Sequence, residues 1–540
     1  MDRPIFRRGA TTLCALLLAL LGAACGDESK LPTEGEPLAG ATVTLVNFDS
    51  QDRPVVRFDV NGNMVDAHGG EIRWFENKYY LYAETYGCGF EWHKLAPAPF
   101  CGFRVYSSPN LVEWTDHGLL FDVSQWEPWQ RRCNWWTSGC FRPHVLYNES
   151  TRKYVLWVNS YDDPVNYYVL ESASPTGPFV ERALPKLAYN TNARGGNVNN
   201  GDENLFVDED GTAYIVYAEW AIGKGDLVVE RLTPDYLSGT GQHVRVGVRQ
   251  NESPSLFKRG GRYYITASTP PNAAYGTSVT SYYTAPSPLG PWSAPRQLNF
   301  TSCGGQPAHV SQLPTPDGKS WYLYQSDLWI NSDGRESGDL NQAPAPQYWA
   351  PLSFDATGEI LPFNCERTVK VTTAVAAAPA REPDARRLQC DVAAPAGGRR
   401  VMREFRFAAP RSGQARSLSV ATYQRGEPTG PLVVELRGTG ADSGTVLHRA
   451  SVDADAGNWD VPVNISWAAR KLDVPLNAGL QAGRQYAVRV QSSTAQGCYG
   501  FAYMENAPAG AASAWVSTDG GAWTAEAGQG VQVDVAFAGS

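Results

Sequence analysis

A repeated pattern of short, aromatic-rich runs constrains the fold of this chain more than any other feature. Runs rich in Tyr, Val, Ile and Trp alternate with clusters of Gly, Pro, Asn and Asp, which is typical of strands and turns. Aromatic positions of the repeated unit recur near 79, 154, 214, 263 and 321, at intervals of about 75, 60, 49 and 58 residues. Repeats of this size indicate propeller blades, so residues 41–368 are predicted to form a five-bladed β-propeller. An array of β-sandwiches is the alternative.

The character of the sequence changes after Cys365. Residues 369–388 contain an alanine-rich run and then Arg381-Glu382-Pro383-Asp384, which favours a linker. Residues 389–540 alternate again between apolar and polar, as expected of a jelly-roll-like β-sandwich. The predicted fold class is therefore all-β. Four tryptophans of this part offer either a sugar-binding platform or core packing: Trp459, Trp467, Trp515 and Trp523.

The first 40 residues have the pattern of an export signal. Residues 1–24 run from Arg7-Arg8 through an apolar stretch to small residues, the order of a secretory signal peptide. Cys25 follows Gly22-Ala23-Ala24 and resembles the cysteine of a bacterial lipoprotein box, so it is predicted to be lipidated; an ordinary cleaved signal is the alternative. Residues 25–40 then form a tether. The expected location is the cell envelope, held only by a lipid anchor, or the medium.

Eight cysteines remain beyond residue 25, an even number that suggests disulfides in an oxidising compartment. Cys88 with Cys101 and Cys133 with Cys140 would close short loops, and Cys390 with Cys498 would join distant parts of the C-terminal region. No pair has the CxxC spacing of a zinc site, and no metal or cofactor is predicted. The acidic run 208–211 lacks the spacing of a calcium loop, so structural calcium is not indicated.

The charge of the 540-residue chain is mildly acidic. Its 46 Lys and Arg against 55 Asp and Glu give a formal net charge of −9 without a basic stripe. Nucleic-acid partners are excluded because such proteins cluster Lys and Arg to neutralise phosphates. The chain is expected to act as a monomer on a polysaccharide or oligosaccharide.

The chemistry is expected at the residues that start the first strand of each blade, since these strands line the central channel. Counting back from each aromatic position gives His68-Gly69-Gly70, Phe141-Arg142-Pro143, Asp202, Glu252 and Gln306. Two carboxylates at one funnel suit glycoside hydrolysis, in which one acid protonates the leaving oxygen. The plain alternative is that Asp202 and Glu252 cap turns.

Residues 60–363 also resemble glycoside hydrolase family 43, and within it the exo-β-1,3-galactanase-like group. The matching segments, one or two per blade, include Ala67-His68-Gly69-Gly70-Glu71, Tyr79–Glu84, Arg142-Pro143-His144, Asp202–Gly211, Glu252-Ser253-Pro254 and Tyr324–Trp329.

The resemblance implies an inverting hydrolase with Glu252 as general acid and Asp202 orienting it. The wider family uses an aspartate as base, and its position corresponds here to Gly69-Gly70. The galactanase-like group also lacks this aspartate, and Gln306 matches the glutamine that holds the attacking water in that group. Glu84 matches a sugar-binding glutamate. Asp327 and Trp329 match a wall of the pocket. From the residues themselves, His68 and Arg142 are further candidates for sugar contact, although His68 has hydrogen bonding within the channel core as an equal alternative. Trp135 is offered as a stacking residue in the insertion before blade two, with packing inside that loop as the alternative.

Three departures from the group bear on function: Gly201 stands in place of an arginine, Pro270-Pro271-Asn272 lacks an expected Gly-Trp pair, and the third is Phe141. Phe141 stands where the galactanase-like group has glutamate, and it removes a polar contact to sugar or water. Hydrolysis of a galactan or arabinogalactan is the leading prediction. A propeller that binds glycans at the cell surface without cleaving them is the alternative, and an adhesion protein that relies on the sandwich is a third.

Overall fold

The computed structural model describes most of the chain after residue 39. The described residues are 40–90, 100–122, 133, 139–160, 166–189, 200–220, 224–269, 278–328, 342–375, 384–394, 400–426, 428–440, 444–454, 468–505 and 507–539. Cys25, Trp135, Trp329, Trp459 and Trp467 lie outside them, so the roles predicted for these residues stay predictions. Within the described residues, no helix is long and apolar enough to cross a bilayer.

The chain enters the fold through two short strands and then forms five antiparallel sheets in sequence order. The first two strands are β1 (Thr42–Val46) and β2 (Val56–Arg57). Blade one contains β3 (His68–Phe75), β4 (Lys78–Glu84), β5 (Phe103–Ser108) and β6 (Thr115–Leu119). Blade two contains β7 (Phe141–Asn148), β8 (Lys153–Ser160), β9 (Asn166–Ser172) and β10 (Val180–Ala183).

The remaining three blades repeat this meander. Blade three contains β11 (Asn200–Val207), β12 (Ala213–Glu219), β13 (Asp226–Leu232) and β14 (Gly239–Arg245). Blade four contains β15 (Glu252–Arg259), β16 (Arg262–Thr269), β17 (Val279–Ala285) and β18 (Arg296–Asn299). Blade five contains β19 (Gln306–Pro314), β20 (Ser320–Asp327) and β21 (Gln347–Pro351). The inner strands β3, β7, β11, β15 and β19 contact one another in a closed ring. The fold is therefore the predicted five-bladed propeller.

The ring of blades is closed by the N-terminal segment. Strand β1 pairs with β22 (Thr368–Thr372), and the buried Asn47 that follows β1 bonds the edge of blade five. The Asn47 side chain donates to the carbonyl of Trp349 and accepts from its N–H, both at 2.9 Å. A disulfide between Cys303 and Cys365 also joins the start of blade five to the segment after it.

The inner strands are held to one another by polar side chains in the central channel. We call Glu71, Asn204, Ser255 and Ser311 the channel belt, because each accepts a hydrogen bond from a backbone N–H of the next blade. The four bonds are Val145 N to Glu71 at 2.7 Å, Leu256 N to Asn204 at 2.9 Å, Val310 N to Ser255 at 3.0 Å and Ile72 N to Ser311 at 3.2 Å. All four side chains are buried, so each bond satisfies a donor that water cannot reach.

The C-terminal part is a β-sandwich around a second apolar core. Its strands are β23 (Ala385–Val392), β24 (Met402–Ala408), β25 (Gly413–Arg425), β26 (Leu432–Gly438), β27 (Val446–Val452), β28 (Arg470–Leu480), β29 (Gln485–Ser492), β30 (Cys498–Glu505), β31 (Ala512–Ser517), β32 (Thr524–Val531) and β33 (Val533–Phe537). One layer is built on β23, β30, β25 and β28, and the other on β31, β24, β29, β26 and β27. Trp515 and Trp523 carry the guanidinium groups of Arg406 and Arg489 over their rings.

The two parts share backbone bonds and one apolar cluster. Strand β2 pairs with β23, and Met64 N donates to the carbonyl of Ala469 at 2.9 Å. The segment 369–388 was predicted to be a linker. Its two ends lie in strands, because β22 extends to Thr372 and β23 begins at Ala385. The predicted disulfides Cys88–Cys101, Cys133–Cys140 and Cys390–Cys498 are all present.

Removal of one channel-belt side chain is expected to destabilise the propeller. In Asn204→Ala the N–H of Leu256 loses its acceptor and His309 loses the amide 2.9 Å from its Nδ1. An unsatisfied buried donor and a small cavity together cost about 2–4 kcal/mol of unfolding free energy. Urea denaturation measures this loss. The matched control Asn61→Ala, at an exposed turn, should stay within about 0.5 kcal/mol of wild type; an equal effect of both variants would contradict the role of the belt.

Candidate active site

Each inner strand contains a β-bulge at its start. One extra residue of the inner strand is accommodated between His68 and Glu71, and the same shift occurs after Phe141, Asn200, Glu252 and Pro307. Bulges of this kind bend a strand and redirect its side chains. The five bulges lie at one end of the channel, and they include or adjoin every channel-lining residue selected from the sequence.

Two of these bulges contain a residue other than glycine in the left-handed backbone region. Arg142 has φ of 54° and Ser253 has φ of 51°, and neither is glycine. Such a conformation is costly for these residues and persists only where surrounding contacts hold it. In this site the two side chains hold one another, because Arg142 Nη2 donates to Ser253 Oγ at 2.5 Å.

A chain of hydrogen bonds joins the three residues predicted to be catalytic. Gln306 Nε2 donates to Glu252 Oε2 at 3.0 Å, and Gln306 Oε1 accepts from Arg142 Nη2 at 3.1 Å. The same Arg142 nitrogen lies 3.1 Å from Asp202 Oδ2. Residues from blades two, three, four and five therefore meet in one cluster around a buried guanidinium.

Asp202 is fixed by three donors on one oxygen. Besides Arg142, the backbone N–H and the hydroxyl of Ser253 both donate to Asp202 Oδ2 at 2.9 Å. Ser253 directly follows Glu252 in the chain, so these bonds hold the aspartate beside the strand that presents Glu252. Sequence reasoning assigned no role to Ser253. Its position in a Ser-Pro pair at the start of an inner strand was the available signal.

The buried charges around Arg142 shift its own pKa and that of Glu84. Burial alone would lower the pKa of Arg142, but the nearby Asp202, Asp327 and Glu84 outweigh it and raise that pKa above its usual range. Burial raises the pKa of Glu84 well above the ordinary value; Arg142 opposes this, and the negative charges of Asp327 and Asp202 add to it.

Two of the predicted sugar contacts keep unused hydrogen-bonding atoms. Glu84 Oε2 and His68 Nδ1 are buried and have no hydrogen-bond partner within the described residues. The two residues lie directly opposite each other on β3 and β4. A buried polar atom without a partner is unfavourable, and a sugar hydroxyl would satisfy it. Asp327, in contrast, accepts from Gly69 N at 2.9 Å.

Gly69-Gly70 leaves no room for an aspartate at the start of blade one. A Cβ on Gly70 would lie 1.7 Å from the carbonyl oxygen of Tyr82, and one on Gly69 would lie 2.8 Å from Glu84 Oε1. The Glu84 carboxylate therefore occupies the space beside Gly69. Blade one supplies its carboxylate from the second strand rather than from the first.

Phe141 occupies the position in β7 that Glu252 occupies in β15. It pairs with Asn159 immediately before the bulge, as Glu252 pairs with Ser268. Phe141 is half-buried and packs against the apolar cluster between blades one and two. It thus presents an apolar ring at the register position where blade four presents the Glu252 carboxylate.

A trio of metal-ligand residue types lies further along the channel and was not selected from the sequence. Glu71, His144 and His309 bring one ligand atom each within 4.8 Å of one another. Glu71 Oε2 is 2.7 Å from Arg73 Nη2 and 2.9 Å from His144 Nδ1. Burial alone would raise the pKa of Glu71, but Arg73 and the histidines hold it below its usual range. Arg73 thus already supplies a positive charge to this carboxylate.

Comparison with known proteins identifies the family of the propeller. Residues 70–338 match the family model of glycosyl hydrolases family 43. The propeller is a family 43 glycosyl hydrolase domain. The protein is accordingly a glycoside hydrolase, and the bulged ends of its inner strands form the candidate active site.

Individual relatives of this family 43 domain are distant. The β-D-galactofuranosidase xynD of Aspergillus niger is 28% identical over 304 residues, which cover 54% of this chain and 81% of the relative. An exo-β-1,3-galactanase from Clostridium thermocellum shares the fold at 21% identity and a TM-score of 0.50, covering 92% of this chain and 97% of that one. An exo-β-1,3-galactanase from Phanerochaete chrysosporium, solved with galactose, is 19% identical with a TM-score of 0.46, covering 85% and 100%.

The buried Glu84 predicts a pH-dependent change in stability. Because its pKa is raised in the folded state, the folded protein binds a proton that the unfolded chain releases near pH 4.5. Wild type therefore loses about 1.4 kcal/mol per pH unit as pH rises from there to the folded-state pKa. Glu84→Gln does not titrate, so its melting temperature should gain on wild type as the pH is raised above about 5. Glu209→Gln, at an exposed carboxylate, serves as control. A difference that shrinks as pH rises would contradict the buried neutral acid.

Proposed function

We propose that this hydrolase is exported and removes terminal galactose-type sugars from a galactan or arabinogalactan with inversion of configuration. The observation that carries the proposal is the Gln306 amide that bridges Glu252 and Arg142, with Asp202 held by the same arginine. This arrangement provides an acid, a polar group to hold water and a fixed negative charge at one funnel.

Glu252 is assigned the role of general acid that protonates the leaving oxygen. The negative charge of Asp202, locked by Arg142 and Ser253, lies beside the strand that presents Glu252, and Asp202 is assigned the role of orienting this acid. The three donors on Asp202 keep that charge in one place through the reaction. Pre-positioned charge of this kind needs no reorganisation when the bond breaks.

Gln306 is assigned the role of holding the attacking water. Its Oε1 accepts one bond from Arg142, and an amide oxygen has a second lone pair for a water. An amide does not take up a proton as a carboxylate does, so this role is positional. Inversion results when this water attacks the anomeric carbon from the face opposite to the leaving oxygen while Glu252 protonates that oxygen.

The proposed sugar follows from the residues that hold it and from the relatives. Residues 60–363 resemble the exo-β-1,3-galactanase-like group, and the Aspergillus niger relative is a galactofuranosidase. His68 and Glu84 offer buried atoms, unpartnered among the described residues, to sugar hydroxyls. Export is supported by the disulfides of the described residues, since such bonds form in oxidising compartments.

A polymer panel tests the proposal. Reducing-sugar release is measured on β-1,3-galactan, arabinogalactan, arabinan and xylan with wild type, Glu252→Gln and the exposed control Glu209→Gln. We expect activity on a galactan, a loss of at least about 100-fold in Glu252→Gln because the acid is removed, and no loss in the control. Intact cells should hydrolyse the polymer as well as lysates do if the enzyme is exported.

Two results would contradict the proposal. Retention of activity in Glu252→Gln would remove Glu252 from the reaction. Binding of galactan by wild type without any release would instead favour the glycan-binding alternative that Phe141 suggests.

A further inference from the structure

The five inner strands begin with different side chains, and the one at the start of β7 differs from the others in being apolar. Strands β3, β15 and β19 begin with His68, Glu252 and Gln306, β11 carries Asp202 in its bulge, and β7 begins with Phe141. The first residues pair in equivalent registers with their second strands. Equivalent registers place equivalent side chains at the same level of the channel. Phe141 is therefore an apolar group in the ring that handles the sugar.

Phe141 belongs to an apolar patch between blades one and two. We call Phe90, Phe100, Phe141 and the Cys133–Cys140 disulfide the apolar wall. Phe90 and Phe100 are buried with ring centroids 5.5 Å apart in an edge-to-face contact, and all members belong to one apolar cluster. A Cβ on Gly139, beside the disulfide, would lie within 3 Å of both Phe90 and Phe100. The wall is thus closely packed.

The opposite side of the cluster is polar and charged. Arg142, the residue after Phe141, directs its guanidinium away to Asp202, Ser253 and Gln306. A sugar bound at the ring would meet hydrogen-bonding groups on that side and a phenyl ring on the other. A hydroxyl pressed against the phenyl ring gives up its bond to water and receives none in return.

We propose that Phe141 selects a terminal sugar that presents a carbon-bound hydrogen or a methyl group to the apolar wall. The substrate class is a galactose-configured pyranoside that lacks one hydroxyl, such as a 6-deoxyhexose or the corresponding pentose. This inference rests on the proposed function, since it takes the galactose configuration from it. A mismatch of one hydroxyl against an apolar pocket changes kcat/KM by about 10- to 100-fold.

The test compares glycosides that share the galactose ring configuration. The probes are the p-nitrophenyl glycosides of β-D-galactopyranose, of its 2-, 3-, 4- and 6-deoxy analogues and of α-L-arabinopyranose, which lacks C6. We expect wild type to favour one analogue over the galactoside by about 10-fold or more in kcat/KM. Phe141→Glu should reverse that preference, because a carboxylate accepts a hydrogen bond from the restored hydroxyl.

Two further variants keep the test independent of folding. Phe141→Leu keeps an apolar side chain and should keep the preference of wild type. Phe141→Gln replaces Phe141→Glu if the charge prevents folding, as judged by the melting temperature, and should shift the preference in the same direction. Inhibition constants of the free deoxy sugars give a second readout that is independent of the leaving group.

The two ways to fail are distinguishable. Preferences that agree within twofold between wild type, Phe141→Leu and the polar variants would overturn the role of Phe141 while leaving the hydrolase intact. An absence of activity on every galactose-configured probe, together with activity on arabinan or xylan, would overturn the proposed sugar and this inference with it.

Discussion

The channel belt is the interaction on which the rest of the structure depends. Each belt residue satisfies a backbone N–H of the next blade, so neighbouring inner strands are fixed in height as well as in spacing. Apolar packing between blades supplies most of the stabilisation, but it does not define register, since the hydrophobic effect is non-directional. The directional bonds of the belt define the register of the inner strands. The bulges lie on the same strands, so their relative positions are fixed by the same bonds. The side chains of the candidate site keep their relative positions because the belt bonds hold the inner strands next to the bulges.

Above the belt, the candidate active site is organised around one buried cation. Arg142 is surrounded by Asp202, Glu84 and Asp327, and the Gln306 amide bridges it to Glu252. A buried charge is tolerated when it is paired and hydrogen-bonded. This need explains the left-handed backbone of Arg142 and Ser253, since the contacts of the cluster offset strain that an isolated strand would relieve. Fold stability and the geometry of the candidate site thus depend on the same contacts.

Much of the fold could be predicted because propeller repeats place aromatic residues at regular intervals, and the site because each repeat starts with residues of distinct chemistry. The proline after Arg142 and the one after Ser253 also mark bulges, since proline cannot donate to a sheet. The belt was missed because the alternation of apolar and polar residues along a strand does not show whether a buried Asn or Ser faces the channel or a neighbouring blade. The contact between sandwich and propeller was missed because pairing of β2 with β23 joins residues over 300 positions apart. No local pattern encodes such a pair.

The bulged strand ends are proposed to place an acid and a water on opposite sides of one glycosidic bond. The most direct test is proton NMR of the first sugar released from a β-linked galactan, recorded before mutarotation. We expect the α-anomer to appear first and the β-anomer to grow in only as the sugar equilibrates. Release of the β-anomer first would mean a retaining, two-step reaction through a covalent intermediate, and it would contradict the single displacement in which a water held by Gln306 attacks the sugar.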